Sequence, residues 1–283
     1  MSSDSPLLQP WTGPYGGVPP WNQVRPDALL SSIERAIAMA QDELDQIANQ
    51  TAPATFENTI VAMERSGRTL DRVSKLFAVH AANLNVGAIP DIERAVAPQL
   101  SAHRDKLYQN ERLFQRIDAI YHSDARGSWS VAQTRLLDDL YKTFVRQGAK
   151  LSGEEKAKLS QINTRLARLF TDFSQNVLAD EQGHVTWIED EADLAGLPES
   201  VIAAMKSAAQ QRGQPERWAV INTRSSMDPF LTYADNRELR ETVWRRYYSR
   251  GDNGDAHDNN AIIAEILRLR AARAQLLGYA NHA

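Results

Sequence analysis

Residues 229–283 read PFLTYADNRELRETVWRRYYSRGDNGDAHDNNAIIAEILRLRAARAQLLGYANHA. Two capped helices are legible in this stretch. Gly251 supplies the stop for the first, and Asp258 the cap for the second. The second helix carries Ile262, Ile263, Ile266, Leu267, Leu269, Leu276 and Leu277. At 3.6 residues per turn these spread over more than one narrow face, so the helix needs cover on several sides. Little chain follows to provide it. The sequence is therefore expected to be interrupted here, and residues 258–283 to pair in a homodimer or to rearrange so that the face is buried.

Working back from that stretch, the rest of the chain also has helical periodicity. Residues 1–26 are dense in proline and contain Trp11, Tyr15 and Trp21, which predicts an extended arm packed by aromatics. From Asp27 the spacing Leu30, Ile33, Ala36/Ile37, Ala40, Leu44, Ile47 predicts a helix. Pro53 and Thr55 open a second, with Phe56, Ile60, Met63, Leu70, Val73 and Phe77 inward. A third runs near 91–109, bent or made irregular at Pro98, and Asn110 caps a short fourth. Ser130 caps a helix ending near Gly148. Ser152 and Glu155 form a capping box for a helix reaching about Leu178. β-branched residues cluster at 183–188 and 217–223, where short strands are expected. Between them Pro198 opens a helix that Gly213 ends. The fold class is mainly α with a small β element near 183–188 and 217–223. The expected organisation is an arm at 1–26, a helical bundle at 27–180, and the β element with capped helices at 181–283.

Composition narrows the function classes. A chain of 283 residues buries roughly three quarters of its unfolded surface. Hydrophobic residues at 42% and charged residues at 24% are ordinary for a globular protein. No apolar run is long enough for a membrane span, and the N-terminus lacks the pattern of a secretory signal. The absence of cysteine excludes disulfides, thiolate metal sites and cysteine nucleophiles. It fits a cytoplasmic protein. A net charge of −4 argues against nucleic acid as a partner.

Several stretches carry a resemblance: PLLQPWTGPYGGVPPW at 6–21, TFENTIVAMERSGRTLDRV at 55–73, LPESVIAAMKSAA at 197–209, PFLTYADNRELRETVW at 229–244, SRGDNG at 249–254 and DNNAIIAEILRLRAARAQLLGY at 258–279. Together they resemble the N-terminal portion of the peptidyl-dipeptidase (Dcp) branch of the thimet oligopeptidase and oligopeptidase A family of HExxH zinc metallopeptidases. The resemblance implies N-terminal helices that form part of the wall of a deep, narrow channel. It implies a zinc site in a later catalytic region and release of C-terminal dipeptides from oligopeptides by the intact protein. Residues 181–283 would then stop short of the zinc domain. In an HExxH site two histidines at i and i+4 bind zinc, and the glutamate between them is the general base. Here histidine occurs only at 80, 103, 122, 184, 257 and 282, none followed by glutamate and no two four apart. No catalytic or metal residue of the family can be placed on this chain, no cofactor is expected in it, and its substrate-binding residues stay unassigned.

The remaining candidates each have a plainer alternative. His80 and His103 could bind a metal or move protons, but the expected role is that of interfacial histidines in helices. His257 is expected in solvent. The loop RGDNGDAHDNN (250–260) offers oxygen ligands for calcium, yet Gly254 and Ala256 break the EF-hand pattern. Helix stop and cap account for it instead. Arg240, Arg245, Arg246 and Arg250, with Tyr247 and Tyr248, could hold a peptide carboxylate or stack on bases; pairing with Glu238 and Glu241 on their own helix is the simpler expectation. The acidic run Glu189–Glu191 with Asp193 reads as a solvated turn. Asp138/Asp139 and Glu154/Glu155 point about 100° apart on helices, which is wrong for an acid–base dyad. GGVPP near Gly16 is not a phosphate loop, and no serine sits in a nucleophile elbow. Two functional classes follow: a non-catalytic wall of a zinc peptidyl-dipeptidase, inactive alone, or a stand-alone helical peptide-binding or scaffold protein.

Overall fold

The computed structural model describes residues 5–283. Its helices are α1 (Pro26–Ala48), α2 (Ala62–Arg65), α3 (Arg68–Asn83), α4 (Ile89–Tyr108), α5 (Glu111–Tyr121), α6 (Val131–Arg146), α7 (Gly153–Gly183), α8 (Glu199–Gln210), α9 (Arg224–Tyr233), α10 (Arg237–Tyr248) and α11 (Asn260–Leu276). The β element is one antiparallel pair, β1 (Val185–Ile188) and β2 (Trp218–Ile221), in register Val185↔Ile221 to Ile188↔Trp218. The mainly α class with a small β element is thus what the chain adopts. Two compact units divide the residues, one comprising Met1–Thr171 and Leu267–Ala283, the other Asp172–Ile266.

In the first unit α1 packs on α3 and α4. Leu29, Ile33 and Ala36 meet Val73, Leu76, Phe77, Ile89, Ile92 and Val96 in one core cluster. Each Val, Leu, Ile or Phe side chain there contributes roughly 1.5–3 kcal/mol by leaving water. The arm joins this core through Leu7, which is 1% exposed, while Tyr15 stands fully in solvent. A second cluster joins Leu44, Ile47 and Ile60 to Leu113, Ile117, Ile120, Leu137 and Phe144.

The second expected helix is broken. Thr55 makes a capping box with Asn58 and opens a π-helical turn, Phe56–Val61. After α2 the backbone is extended at Ser66 and left-handed at Gly67, and α3 starts afresh. The amide of Gly67 donates to Oε2 of Glu43 at 2.6 Å, which anchors the break to α1. Buried Arg116 on α5 fastens the preceding segment. Its guanidinium donates to Thr59 Oγ1 (3.1 Å), Asn58 Oδ1 (2.8 Å) and the carbonyls of Gln50 (3.2 Å) and Ala52 (3.0 Å).

In the first unit the capping expectations hold. Asn110 accepts from the Leu113 amide, Ser130 forms a box with Gln133, and Ser152 and Glu155 satisfy each other's amides. Pro98 lies inside α4.

In the second unit Ile188, Leu194, Leu197, Met205, Val220, Met227, Phe230 and Val243 form the core. α8 and α9 both pack on β2, and α9 on α10. The sequence reading did not foresee α9, because Pro229 lies within it and removes an internal donor. Burial of Met227 and Phe230 offsets that loss.

Candidate functional site

The end of α7, the end of α10 and the loop leading to α11 converge in the second unit. Asp180 sits in the last turn of α7 and is 1% exposed. Its Oδ2 accepts from the Gly251 amide at 2.7 Å and from Asn253 Nδ2 at 2.8 Å. Its backbone carbonyl accepts from Asn222 Nδ2 at 3.2 Å, and the same amide group reaches the carbonyl of Arg246 at 3.2 Å. Asn259, also 1% exposed, completes the lock. Its backbone amide donates to the Gly251 carbonyl at 2.7 Å. Its side chain donates to the Phe173 carbonyl at 3.2 Å and accepts from Asn176 at 2.9 Å. Gly251 has φ +72°, and a Cβ there would stand 2.6 Å from Asn259 Nδ2.

The carboxylates of loop 250–260 are largely committed to partners within the loop. Asp258 accepts from the amides of Gly254 (2.9 Å) and Asn260 (2.8 Å), which lowers its pKa. Asp252 accepts from Asn260 Nδ2 at 2.6 Å. The expected cap is displaced by one residue: α11 begins at Asn260, so Asn259 holds the N-cap position and Asp258, just before it, satisfies the first helical amide. Asp255 likewise accepts from a backbone amide, that of His257 at 2.8 Å, and it also lies beside Asp180 and His184. One ligand atom from each of Asp180, His184 and Asp255 falls within 4.8 Å of the others. The histidine survey along the sequence missed this trio, although Asp180 and His184 are spaced i, i+4.

The arginine face is engaged internally. Arg240 donates to the Asp235 carbonyl at 3.0 Å, and Arg245 pairs with Glu241 at 2.6 Å. Arg246 donates to Thr186 Oγ1 at 3.0 Å and so ties α10 to β1. Arg250 pairs with Glu181 and lies 3.7 Å over the Tyr247 ring. Tyr247 also lines a cavity of about 650 Å³ with Glu181, Thr223, Arg224, Asp228 and Pro229. Trp244 and Tyr248 form an exposed aromatic pair on α10, ring centroids 5.4 Å apart.

In the first unit Asp105, Asn163 and Arg273 form a polar chain. Asn163 Nδ2 donates to Asp105 Oδ1 at 2.7 Å, and Arg273 donates to Asn163 Oδ1 at 3.0 Å and to Gln147 Oε1 at 2.9 Å. Burial raises the Asp105 pKa, although hydrogen bonds from Asn163 and Ser160 and the charges of Arg273 and Arg104 work against the shift. Burial lowers the Arg273 pKa, with Asp105 opposing. These residues line a cavity of about 370 Å³ together with His282. His103 is part-buried; its Nδ1 has no hydrogen-bond partner, and burial, then Lys106, lowers its pKa. One ring nitrogen of that interfacial histidine is thus left unpartnered.

The i, i+4 histidine pair of an HExxH centre does not fit this chain. The convergence of metal-ligating types found among the described residues brings one histidine, not two, to two aspartates.

Residues 230–283 match the family model described as Peptidase family M3. Along nearly its whole length the chain is similar to curated proteins. It is 31% identical to a dipeptidyl carboxypeptidase of Salmonella typhimurium, over 99% of this chain and 41% of that protein. It is 30% identical to oligopeptidase A of Escherichia coli, over 99% and 41%, and 31% identical to an organellar oligopeptidase A of Arabidopsis thaliana, over 99% and 35%. The chain thus spans about two fifths of the length of its first two relatives. Residues 230–283 thus match peptidase family M3, and the chain as a whole is similar to dipeptidyl carboxypeptidases and oligopeptidases A.

Proposed function

We propose that this chain is a non-catalytic, channel-wall portion of a zinc peptidyl-dipeptidase that in intact form releases dipeptides from oligopeptide C-termini. One observation carries the reading. The chain is similar end to end to a dipeptidyl carboxypeptidase yet spans 41% of it, and it contains no HExxH. The zinc, which polarises the scissile carbonyl and activates water, is held by the portion of the protein that this chain does not match. The helices here shape access and restrict the substrate to extended peptides. The same reading sets the protein in the cytoplasm, in keeping with its cysteine-free sequence.

The test is C-terminal dipeptide release from a chromogenic oligopeptide by the purified chain with added zinc. No turnover is expected; sustained turnover overturns the reading. An in-frame HExxH in the coding DNA beyond the Ala283 codon is the second expected result. Saturable binding of oligopeptides to the isolated chain, with no such reading frame, would favour the scaffold alternative instead.

A further inference from the structure

We propose that Asp180, His184 and Asp255 form a divalent metal site of the zinc class, separate from the family's HExxH chemistry, that clamps loop 249–258 to the end of α7. The donor set is mixed, two carboxylate oxygens and one imidazole nitrogen, within 4.8 Å of one another. Such a set suits a borderline divalent ion, and three protein ligands leave a position for water. The backbone places two of the three ligands in advance. The His184 amide donates to the Asp180 carbonyl at 3.2 Å, so the helical turn continues through His184 and the two side chains share a face.

The buried aspartate is the second and independent observation. Asp180 is 1% exposed, and no lysine or arginine pairs with it among the described residues. Two neutral donors reach its Oδ2, while no hydrogen bond from the described residues reaches its Oδ1. A buried carboxylate is costly unless it is paired with a cation or coordinates a metal. The nearby Arg250 is committed to Glu181 and Tyr247. Neither ring nitrogen of His184 makes a hydrogen bond among the described residues, so a lone pair remains available. Asp255 is exposed and carried on the loop, where it closes the site from the solvent side.

The experiment titrates tag-free protein with Co²⁺, follows the visible absorbance, and then displaces the ion with Zn²⁺ in a calorimeter. Saturation at one ion per chain is expected, with a thermal unfolding midpoint that rises on adding Zn²⁺. His184→Gln and Asp255→Asn should each weaken binding by about tenfold or more and abolish the Zn²⁺-dependent rise, while their midpoints in chelator match the parent. These two variants carry the test, because Asp180→Asn also disturbs the bonds to Gly251 and Asn253. Absence of saturable binding, or binding that neither variant weakens, overturns the proposal. Peptidase activity does not enter these readouts, so the outcome is independent of the proposed channel-wall role.

Discussion

The backbone amide of Gly251 donates to Oδ2 of Asp180 at 2.7 Å, a bond that joins residues 71 apart in the chain. It couples a helix stop, legible from sequence, to a carboxylate whose importance is not. Removing that acceptor by Asp180→Ala leaves the buried Gly251 amide without a partner and takes one bond from exposed Asn253, which keeps its bond with Ser249. Unsatisfied buried donors cost about 1–3 kcal/mol each. The variant is expected to lose about 1–3 kcal/mol in urea denaturation, with earlier proteolytic nicking in loop 249–258.

Gly251→Ala tests the same lock from the other side. Its φ of +72° disfavours any side chain, and the new methyl carbon would meet Asn259 Nδ2 at 2.6 Å. Gly254, at φ +68° with open space around it, is the control. Gly254→Ala should cost about 1 kcal/mol, the left-handed penalty alone. Gly251→Ala should cost clearly more, because Asn259 must give up its bonds to Phe173 and Asn176. Equal losses in the two variants would refute the account of the lock.

Asp105 predicts a pH dependence. Burial holds its folded-state pKa above the ordinary carboxylate value. Between the unfolded and folded pKa values the folded state therefore binds more protons, and stability falls as pH rises. The contribution is fully present below the unfolded pKa and is lost as pH climbs through the folded one. Asp105→Asn never ionises and keeps an oxygen for Asn163. It should remove that fall and be more stable than the parent at neutral pH, as measured by denaturation at a series of pH values.

Arg116 is buried, and its guanidinium donates to four neutral oxygens in segment 50–59. Arg116→Met keeps the apolar stem but strands those acceptors. A loss of about 3 kcal/mol is expected, along with faster hydrogen exchange through Phe56–Val61. Exchange rates that match the parent there would count against Arg116 as the fastener.

On α11, Ile263 is 41% and Leu267 is 59% exposed. Exposed apolar residues of this kind favour association, so we expect concentration-dependent dimers through residues 258–283. Leu267→Lys should shift light scattering toward the monomer. A parent chain that stays monomeric at high concentration would dispose of the idea.

Much of the local structure was legible because its causes are local. Asn110, Ser130 and the Ser152–Glu155 pair cap helices through bonds that span a few residues. The β-branched clusters became β1 and β2. What misled was a rule applied without its context. Pro229 hid α9, which the burial of Met227 and Phe230 sustains. The continuous apolar pattern from Phe56 to Phe77 concealed the break at Ser66 and Gly67.

By itself the sequence determined the helical class, most of the caps, the resemblance to peptidase family M3 and the lack of an HExxH pair, since each depends on residue type at short, regular spacing. Only the tertiary structure decided that the arginines of α10 are occupied by neighbours, that Asp105 is buried, and that Asp180 meets His184 and Asp255. Those facts depend on which distant segments share a volume from which water is excluded. Burial of that kind turns an ordinary aspartate into a structural anchor, and no spacing along the chain encodes it.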